Sequence, residues 1–317
     1  MSTLSTEVNE HLIRSQIWSA QLKEVFEEEL FGLRYVDMIT DFPDGDLINI
    51  PSIGQAEIHD YEEGQAIKYT AFDTGNFTFQ LTDYKSSATY ITDKMKQNSF
   101  YTDRLVSAFV PKMQRGLMRA METDLLAVGP DNQTASDLNT INGGDHRFVG
   151  SGSNEVIAPK DFQRARHALQ KANVPMTNLV AIVDPSVEYA LATTTNLTSI
   201  SNNPRWEGIV REGMSTGMKF LFNIYGFDVW VSNNLKTLSA SETINSVTAA
   251  SGVCNLLFSA DSVATPFVGL IRQPPRVESS RNKDYQRDEF VMTTRYGFDL
   301  FRPENLVTII TDTDQVN

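Results

Sequence analysis

Cysteine occurs once in the 317 residues, as Cys254, so no intrachain disulfide can form and a reducing compartment suits the chain. Cys254 sits in the apolar run 253–258 and reads as a buried, inert thiol rather than a nucleophile. Histidine is nearly as sparse: His11, His59, His146 and His167 are scattered without ligand spacing. No Gly-rich phosphate loop, no GxSxG elbow and no HExxH is present. No apolar run reaches membrane-spanning length, and no basic stretch followed by an apolar core opens the chain. The expectation is a protein without membrane span or secretory signal, made and kept in the cytoplasm. Positive charge is also short. With 27 Lys and Arg against 40 Asp and Glu, the net charge of -13 argues against a sequence-independent grip on nucleic acid or an anionic membrane.

What remains of site-like sequence has bland explanations. Gly143-Gly144-Asp145-His146 is a glycine turn with polar punctuation. Asp312 and Asp314 lie on a polar tail, where two carboxylates are ordinarily solvated. Asn76-Phe77-Thr78, Asn132-Gln133-Thr134 and Asn196-Leu197-Thr198 match glycosylation sequons, which have no meaning without a secretory route. No residue is assigned a catalytic, cofactor-binding or metal-binding role, and no enzyme is expected.

What is there is the make-up of a soluble globular protein, 41% hydrophobic and 21% charged. The length exceeds what one compact core usually organises, so two or more lobes are expected. The longest helical signal covers 103–128. Val106, Val110, Met113, Leu117, Met121, Leu125 and Val128 recur at three- and four-residue steps and draw one apolar stripe. Thr102 and Asp103 are ready N-caps, and Gly129-Pro130 is expected to be a hard stop. At 1.5 Å per residue the segment spans roughly 39 Å. Pro111 and Gly116 weaken it from within, so the strut is expected to kink or bend there. Lys112, Arg115 and Arg119 form a basic row on another side, by default a solvated face.

Before the strut, 11–33 carries an amphipathic helical pattern, with Trp18, Leu22, Val25, Phe26 and Leu30 on one side. Between 47 and 91 the character turns to strand. Leu47-Ile48-Asn49-Ile50-Pro51 and alternating Phe77, Phe79 and Leu81 read as a long antiparallel hairpin whose tip, 60–76, is acidic and partly apolar. A two-stranded ribbon alone is marginal in water and needs a surface to rest on. After the strut, 131–154 reads as a surface loop. A helix is expected from Ala158-Pro159-Lys160-Asp161 to about Asn173, with Phe162, Ala165, Leu169 and Ala172 inward. A buried strand over 178–183 and a short helix begun by Asp184-Pro185 follow. Residues 193–218 and 236–251 read as polar loops. Strands are expected on both sides of Tyr225-Gly226, at 253–258, 276–282, 289–302 and 306–310. The class is mixed α+β, and no internal repeat is visible.

This order of elements resembles the major capsid proteins of tailed bacteriophages, with the coat fold named after phage Hong Kong 97. The resemblance covers nearly the whole chain. It rests on Ile17-Trp18-Ser19-Ala20 in the arm, and on Gly45-Asp46-Leu47-Ile48-Asn49-Ile50-Pro51-Ser52-Ile53-Gly54. It continues through Thr89-Tyr90-Ile91-Thr92-Asp93 and Val180-Ala181-Ile182-Val183-Asp184-Pro185. It closes with Gly226-Phe227-Asp228-Val229-Trp230-Val231-Ser232-Asn233-Asn234, and with Tyr296-Gly297 and Arg302-Pro303-Glu304. The implied parts are an N-terminal arm (1–43), an extended loop (44–95), a peripheral domain with the spine helix (96–177) and an axial domain (178–270). C-terminal strands (271–317) return to the peripheral and axial domains.

The implied function is structural: pentamers and hexamers of the chain close an icosahedral head around double-stranded DNA, in the virion, after synthesis in the host bacterial cytoplasm. Its partners would be further copies of itself, a portal, and a scaffolding or decoration protein, with no membrane and no sequence-specific DNA contact. The rivals are an encapsulin-type shell holding cargo protein and a soluble hydrolase sited in the Gly/Asn loops; particle size separates the latter. Some relatives cross-link through a lysine on the extended loop, where Lys68 stands here. It reads as a solvated lysine, since nothing else at the tip demands a bond. Relatives also change shape on maturation, which the weak points at Pro111 and Gly116 would serve. Asp60, Glu62 and Glu63 at the tip are expected to face Lys112, Arg115 and Arg119 of a neighbouring copy. Apolar contact from Ile67, Tyr69 and Phe72 would supply most of the energy.

Overall fold

The computed structural model describes residues 32–39, 47–53, 58–61, 63–68, 74–98, 102–132, 139–193, 220–238, 242–244, 247–249, 252–262 and 264–312. The expected N-terminal helix up to residue 31, most of the 193–218 loop, His11, Asp314, Glu62, Tyr69 and Phe72 lie outside them, and the helix's expected last residues, Gly32 and Leu33, open a 3-10 turn instead.

After a 3-10 turn at Gly32–Tyr35 come β1 (Val36–Met38), β2 (Leu47–Ile53), β3 (Thr74–Gln80) and β4 (Asp83–Thr92). The helices α1 (Asp93–Asn98) and α2 (Thr102–Asn132) follow, then the short strands β5 (Thr140–Ile141), β6 (Gly144–Asp145) and β7 (Arg147–Val149). Next are α3 (Pro159–Lys171), β8 (Leu179–Val183), α4 (Pro185–Thr193), β9 (Phe220–Ile224) and β10 (Phe227–Val231). The chain continues through β11 (Thr237–Leu238), β12 (Glu242–Ile244), β13 (Val247–Ala249) and β14 (Gly252–Ser259). It ends in β15 (Phe267–Asn282), β16 (Arg287–Leu300) and β17 (Leu306–Thr311).

Two sheets carry the fold. A seven-stranded sheet runs β7-β17-β14-β8-β10-β9, with β11 also on β14. A four-stranded sheet runs β1-β15-β16-β4. The central strands of the seven-stranded sheet are buried on both faces, which is why β8 is an unbroken apolar run and β14 is buried at every position, with Asn255 as its polar interruption. On one face Leu179, Ala181 and Val183 of β8 meet Phe162, Ala165 and Leu169 of α3 and Val187 of α4. On the other, Val180 and Ile182 meet Leu125 and Leu126 of α2, with Phe258, Phe267 and Leu306. The expected inward face of α3 is the buried one, although Ala172 is only partly covered, at its C-cap. Pro185 starts α4 as expected, and the Asp184 carboxylate accepts the Ser186 N–H at 2.9 Å.

The helix α2 differs from expectation at its end. It runs through Gly129 and Pro130 to Asn132. Packing overrides the local stop signal there, because Gly129 and Pro130 are buried against the seven-stranded sheet. A Cβ on Gly129 would lie 2.5 Å from Leu306 Cδ2, so glycine is what lets the helix lie that close. Arg147 Nη1 reaches the Pro130 carbonyl at 3.4 Å, and Asn132 donates to Asp299 at 2.9 Å. Met113, Leu117, Met121 and Leu125 of the expected stripe are buried, and Met113 and Leu117 lie on Met292 of β16. Pro111 and Gly116 are exposed within a continuous helix. A Cβ on Gly116 meets no atom within 4 Å, so Gly116→Ala changes only helix propensity. It is expected to add about 1 kcal/mol to subunit stability in urea unfolding. An unchanged or lower midpoint would mean that glycine's freedom is used at that point.

The loop expected at 131–154 is a second correction. Its first two residues belong to α2, and His146 through Gly150 are buried. The three residues of β7 pair in parallel with β17, Thr308 opposite Arg147 through Ile310 opposite Val149. Three-residue strands in Gly- and Asn-rich sequence carry no periodicity to read. The same reason hid β11, β12 and β13 in the polar stretch 236–251. Strand β15 begins at Phe267, nine residues before the expected 276, and holds Pro274 and Pro275. Its ladder with β16 shifts register between Ile271, Gln273 and Arg276, the bulge at which a sheet tolerates residues without an N–H.

Candidate functional site

The feature that stands out from this core is the hairpin of β2 and β3. Seven residues pair on each side, from Leu47 opposite Gln80 to Ile53 opposite Thr74. Its root is fastened by a small apolar cluster of Phe79, Leu81 and Leu270, with Ile39, Ile48 and Phe77 against it. Phe77 also meets Phe301 edge-on, ring centroids 5.1 Å apart. Of the described residues at the far end, all but His59 are exposed. Ile58 is 95% exposed, Tyr61 73% and Ile67 64%, beside exposed Asp60 and Glu63. Lys68 is exposed as well. Exposed branched and aromatic side chains at the end of a ribbon have the composition of an interface rather than of a solvated loop.

The basic row on α2 is not the plain solvated face expected of it. Lys112 and Arg115 are half-buried, and Arg119 Nε donates to Asn234 Oδ1 at 3.0 Å. The structure brings together other charged groups that a sequence reading did not single out. On β4, exposure alternates strictly, so Asp83 and Lys85 share the face turned to α2. Lys85 pairs with Asp124 of α2, and the Tyr296 hydroxyl on β16 donates to the same Asp124 oxygen. The Lys85 ammonium also lies 5.9 Å from the Tyr296 ring centroid. Burial pushes the Asp83 carboxyl above the usual carboxylate range, and the neighbouring Asp124 pushes it further. Burial and the bond to Asp124 raise the Tyr296 hydroxyl likewise.

A second cluster surrounds α1. Arg281 of β15 grips Asp93 with both nitrogens, at 2.7 and 3.1 Å, and reaches Asp288 of β16 at 3.3 Å. Lys96 of α1 pairs with Asp288, and Arg287 Nε donates to Glu289 at 2.7 Å. The hydrogen bond from Arg281 holds Asp93 below the ordinary range, and the bond from Lys96 does the same for Asp288. Glu289 is lowered by Arg287 first and by Asn282 second. One sequence signal pointed to the first cluster: Asp124 is a carboxylate lodged within the apolar stripe, three residues after Met121 and four before Val128. The partners come from 39 and 172 residues away, which no local pattern encodes.

The residues weighed for chemistry go elsewhere. His146 is fully buried, its ring nitrogens 3.0 Å from the Gly144 carbonyl and 3.1 Å from that of Glu304, where it ties the β6–β7 turn to the approach to β17. Cys254 is buried in β14, as expected. His59 is half-buried on the hairpin and His167 exposed on α3. Among the described residues, no three metal-ligating side chains gather, and no helix is long and apolar enough to cross a membrane.

No family model and no curated protein matches the sequence. Solved structures do match. The capsid structure of the cyanophage P-SCSP1u superposes with a TM-score of 0.73 at 16% identity, over 96% of this chain and 94% of that one. A structure of Mycobacterium phage Che8 gives 0.68 at 18% identity, over 94% of this chain and 97% of that one. The mature capsid of bacteriophage PhiM1 gives 0.69 at 12% identity, over 95% and 93%. Two sheets, a spine helix and a projecting hairpin, matched along almost their full length, give this protein the fold of the phage capsid proteins, the Hong Kong 97-type coat fold.

Proposed function

We propose that the chain is the major capsid protein of a tailed bacteriophage and builds its shell from pentamers and hexamers of itself. The observation that carries this reading is the hairpin: its root is packed within the chain while its tip exposes Ile58, Tyr61 and Ile67. A neighbouring copy supplies the missing cover. In this reading 1–43 is the arm, 44–95 the extended loop, 96–177 the peripheral domain, 178–270 the axial domain, and 271–317 returns to both. The shell encloses double-stranded DNA without a sequence-specific contact, and a net charge of -13 suits a container that does not grip its contents through many phosphate contacts. A portal and a scaffolding or decoration protein complete the head. The chain acts as a structural protein of the virion, not as an enzyme. Purified chain, or material from expressing cells, is expected to form closed particles of megadaltons in light scattering and negative-stain images. A stable small oligomer under every assembly condition overturns the reading.

Assembly also tests the tip. If Asp60, Glu62 and Glu63 face Lys112, Arg115 and Arg119 of a neighbour, each exposed pair contributes about 0.2–1 kcal/mol and is screened by salt. Such pairs set register and partner choice more than affinity. Reversing Glu62 and Glu63 to Lys is expected to impair particle formation, and reversing Arg115 and Arg119 to Glu in the same chain to restore part of it. The second change alone also breaks the Arg119–Asn234 bond, so rescue, rather than either defect, is the informative result. A four-fold variant no better than its parents means that the two clusters do not touch.

A further inference from the structure

We propose that the two charged clusters flanking β4 answer acid in opposite directions, so that a falling pH releases α1 from the tip of the β15–β16 hairpin while α2 stays fastened to β4. The geometry separates the two clusters cleanly. Strand β4 carries Asp83 and Lys85 at its start, beside the root of the extended hairpin, and runs at its end directly into Asp93 of α1. At the first position α2 contributes Asp124 and β16 contributes Tyr296, and the register sets Asp83 opposite Tyr296. At the second, α1 contributes Asp93 and Lys96, β15 contributes Arg281 and Asn282, and β16 contributes Arg287, Asp288 and Glu289.

The two positions differ in which sign is in excess. Among the described residues around the first, Lys85 is the cation whose charge bears on Asp83; it pairs with Asp124, and the Tyr296 hydroxyl donates to the same Asp124 oxygen. One carboxylate there is surplus. Its folded-state value lies above its unfolded one, so its charge opposes folding at neutral pH and protonation relieves that opposition as the pH falls. Around the second, three carboxylates meet three cations in direct contact: Asp93 with Arg281, Asp288 with Lys96 and Arg281, Glu289 with Arg287. These carboxyls lie below their unfolded values. Their stabilisation is present above the ordinary carboxylate range and is lost as the pH drops through that range and then through their own lower values. The first cluster therefore gains before the second fails. Release at the second cluster frees α1, while α2 keeps its apolar seats, Met113 and Leu117 on Met292 and Leu125 and Leu126 among Val180, Ile182 and Phe258.

Hydrogen exchange on the full-length, unassembled chain reads this out, comparing neutral solution with steps down to about pH 3.5 after correction for the intrinsic rate. Acid is expected to lower protection a few-fold over 93–98 and 279–289, and to leave it equal or higher over 83–91 and equal over 117–128. At neutral pH, Asp288→Asn is expected to lower protection over 93–98 alone, and Asp83→Asn to raise it over 83–91. The variants matter because they need no acid and so separate the clusters from general acid unfolding. Protection lost from both regions together in acid, or variants indistinguishable from the unsubstituted chain at neutral pH, overturn the proposal. The readout is independent of particle formation, so its failure leaves the shell reading standing.

Discussion

Phe258→Ala is expected to lower the unfolding free energy of the subunit by about 3–5 kcal/mol. Phe258 is fully buried in β14, at the centre of the seven-stranded sheet. Its ring meets Tyr35 edge-on at 5.6 Å and Phe267 of β15 at 5.6 Å. Leu125 and Leu126 of α2 and Leu306 of β17 belong to the same cluster. One side chain thus joins the seven-stranded sheet, the four-stranded sheet, the spine helix and the segment arriving from the N-terminal side. Truncation removes the buried rings' contacts, worth about 0.5–1.5 kcal/mol for each aromatic pair beyond area, and leaves a cavity that three separate elements would have to close. Collapse is therefore limited, and the upper half of the range is expected. Denaturant unfolding of unassembled subunits measures it, with Phe258→Leu as the milder companion. A loss below about 1 kcal/mol would mean that the two sheets close together easily and that the junction is not where rigidity resides.

Asn305→Leu is the second large loss, expected at about 2–4 kcal/mol although the substitution adds apolar volume. Asn305 is buried, and its side chain serves three backbone groups. Its oxygen accepts the Ser259 N–H at 2.9 Å, and its amide nitrogen donates to the Ser259 carbonyl at 2.8 Å and to the Ala264 carbonyl. These bonds close the end of β14 onto the turn that enters β17. With leucine there, one donor and two acceptors are left buried without that partner, each at about 1–3 kcal/mol when uncompensated. Asn305→Asp keeps the acceptor for the Ser259 N–H but turns a carboxylate oxygen toward two carbonyls in a buried site, so it is expected to lose at least as much. If leucine proves neutral in thermal or denaturant unfolding, water reaches this turn and the bonds are replaceable.

Legibility in the sequence followed the range of the interaction. The stripe from Met113 to Leu125, the inward face of α3 and the turn at Tyr225-Gly226 could be read because each is set by neighbours within a few residues. Tyr225 and Gly226 both take positive φ, at 49° and 92°, and the strands on either side fold back on each other there. The end of α2 could not be read, because Gly129-Pro130 is a stop by local chemistry and a close-packing site by tertiary chemistry. Nor could β7, whose three residues owe their place to β17, some 160 positions on. The hairpin was legible as a ribbon lacking a surface to rest on. The fastening of its root to α2 through Lys85 and Asp124 was not, since ion pairs carry no periodicity and each partner alone reads as an ordinary surface charge.

The sequence by itself determined the mixed α+β class and the order of most helices and strands. Hydrophobic spacing and turn residues act over short distances and are written out residue by residue. Tertiary structure alone decided which charges meet, where the spine helix ends and which face of each strand is covered. Those outcomes depend on surfaces brought together from 39 to 192 residues apart, as in Lys85 with Asp124 and Lys96 with Asp288, where burial and pairing rather than residue type set the energy.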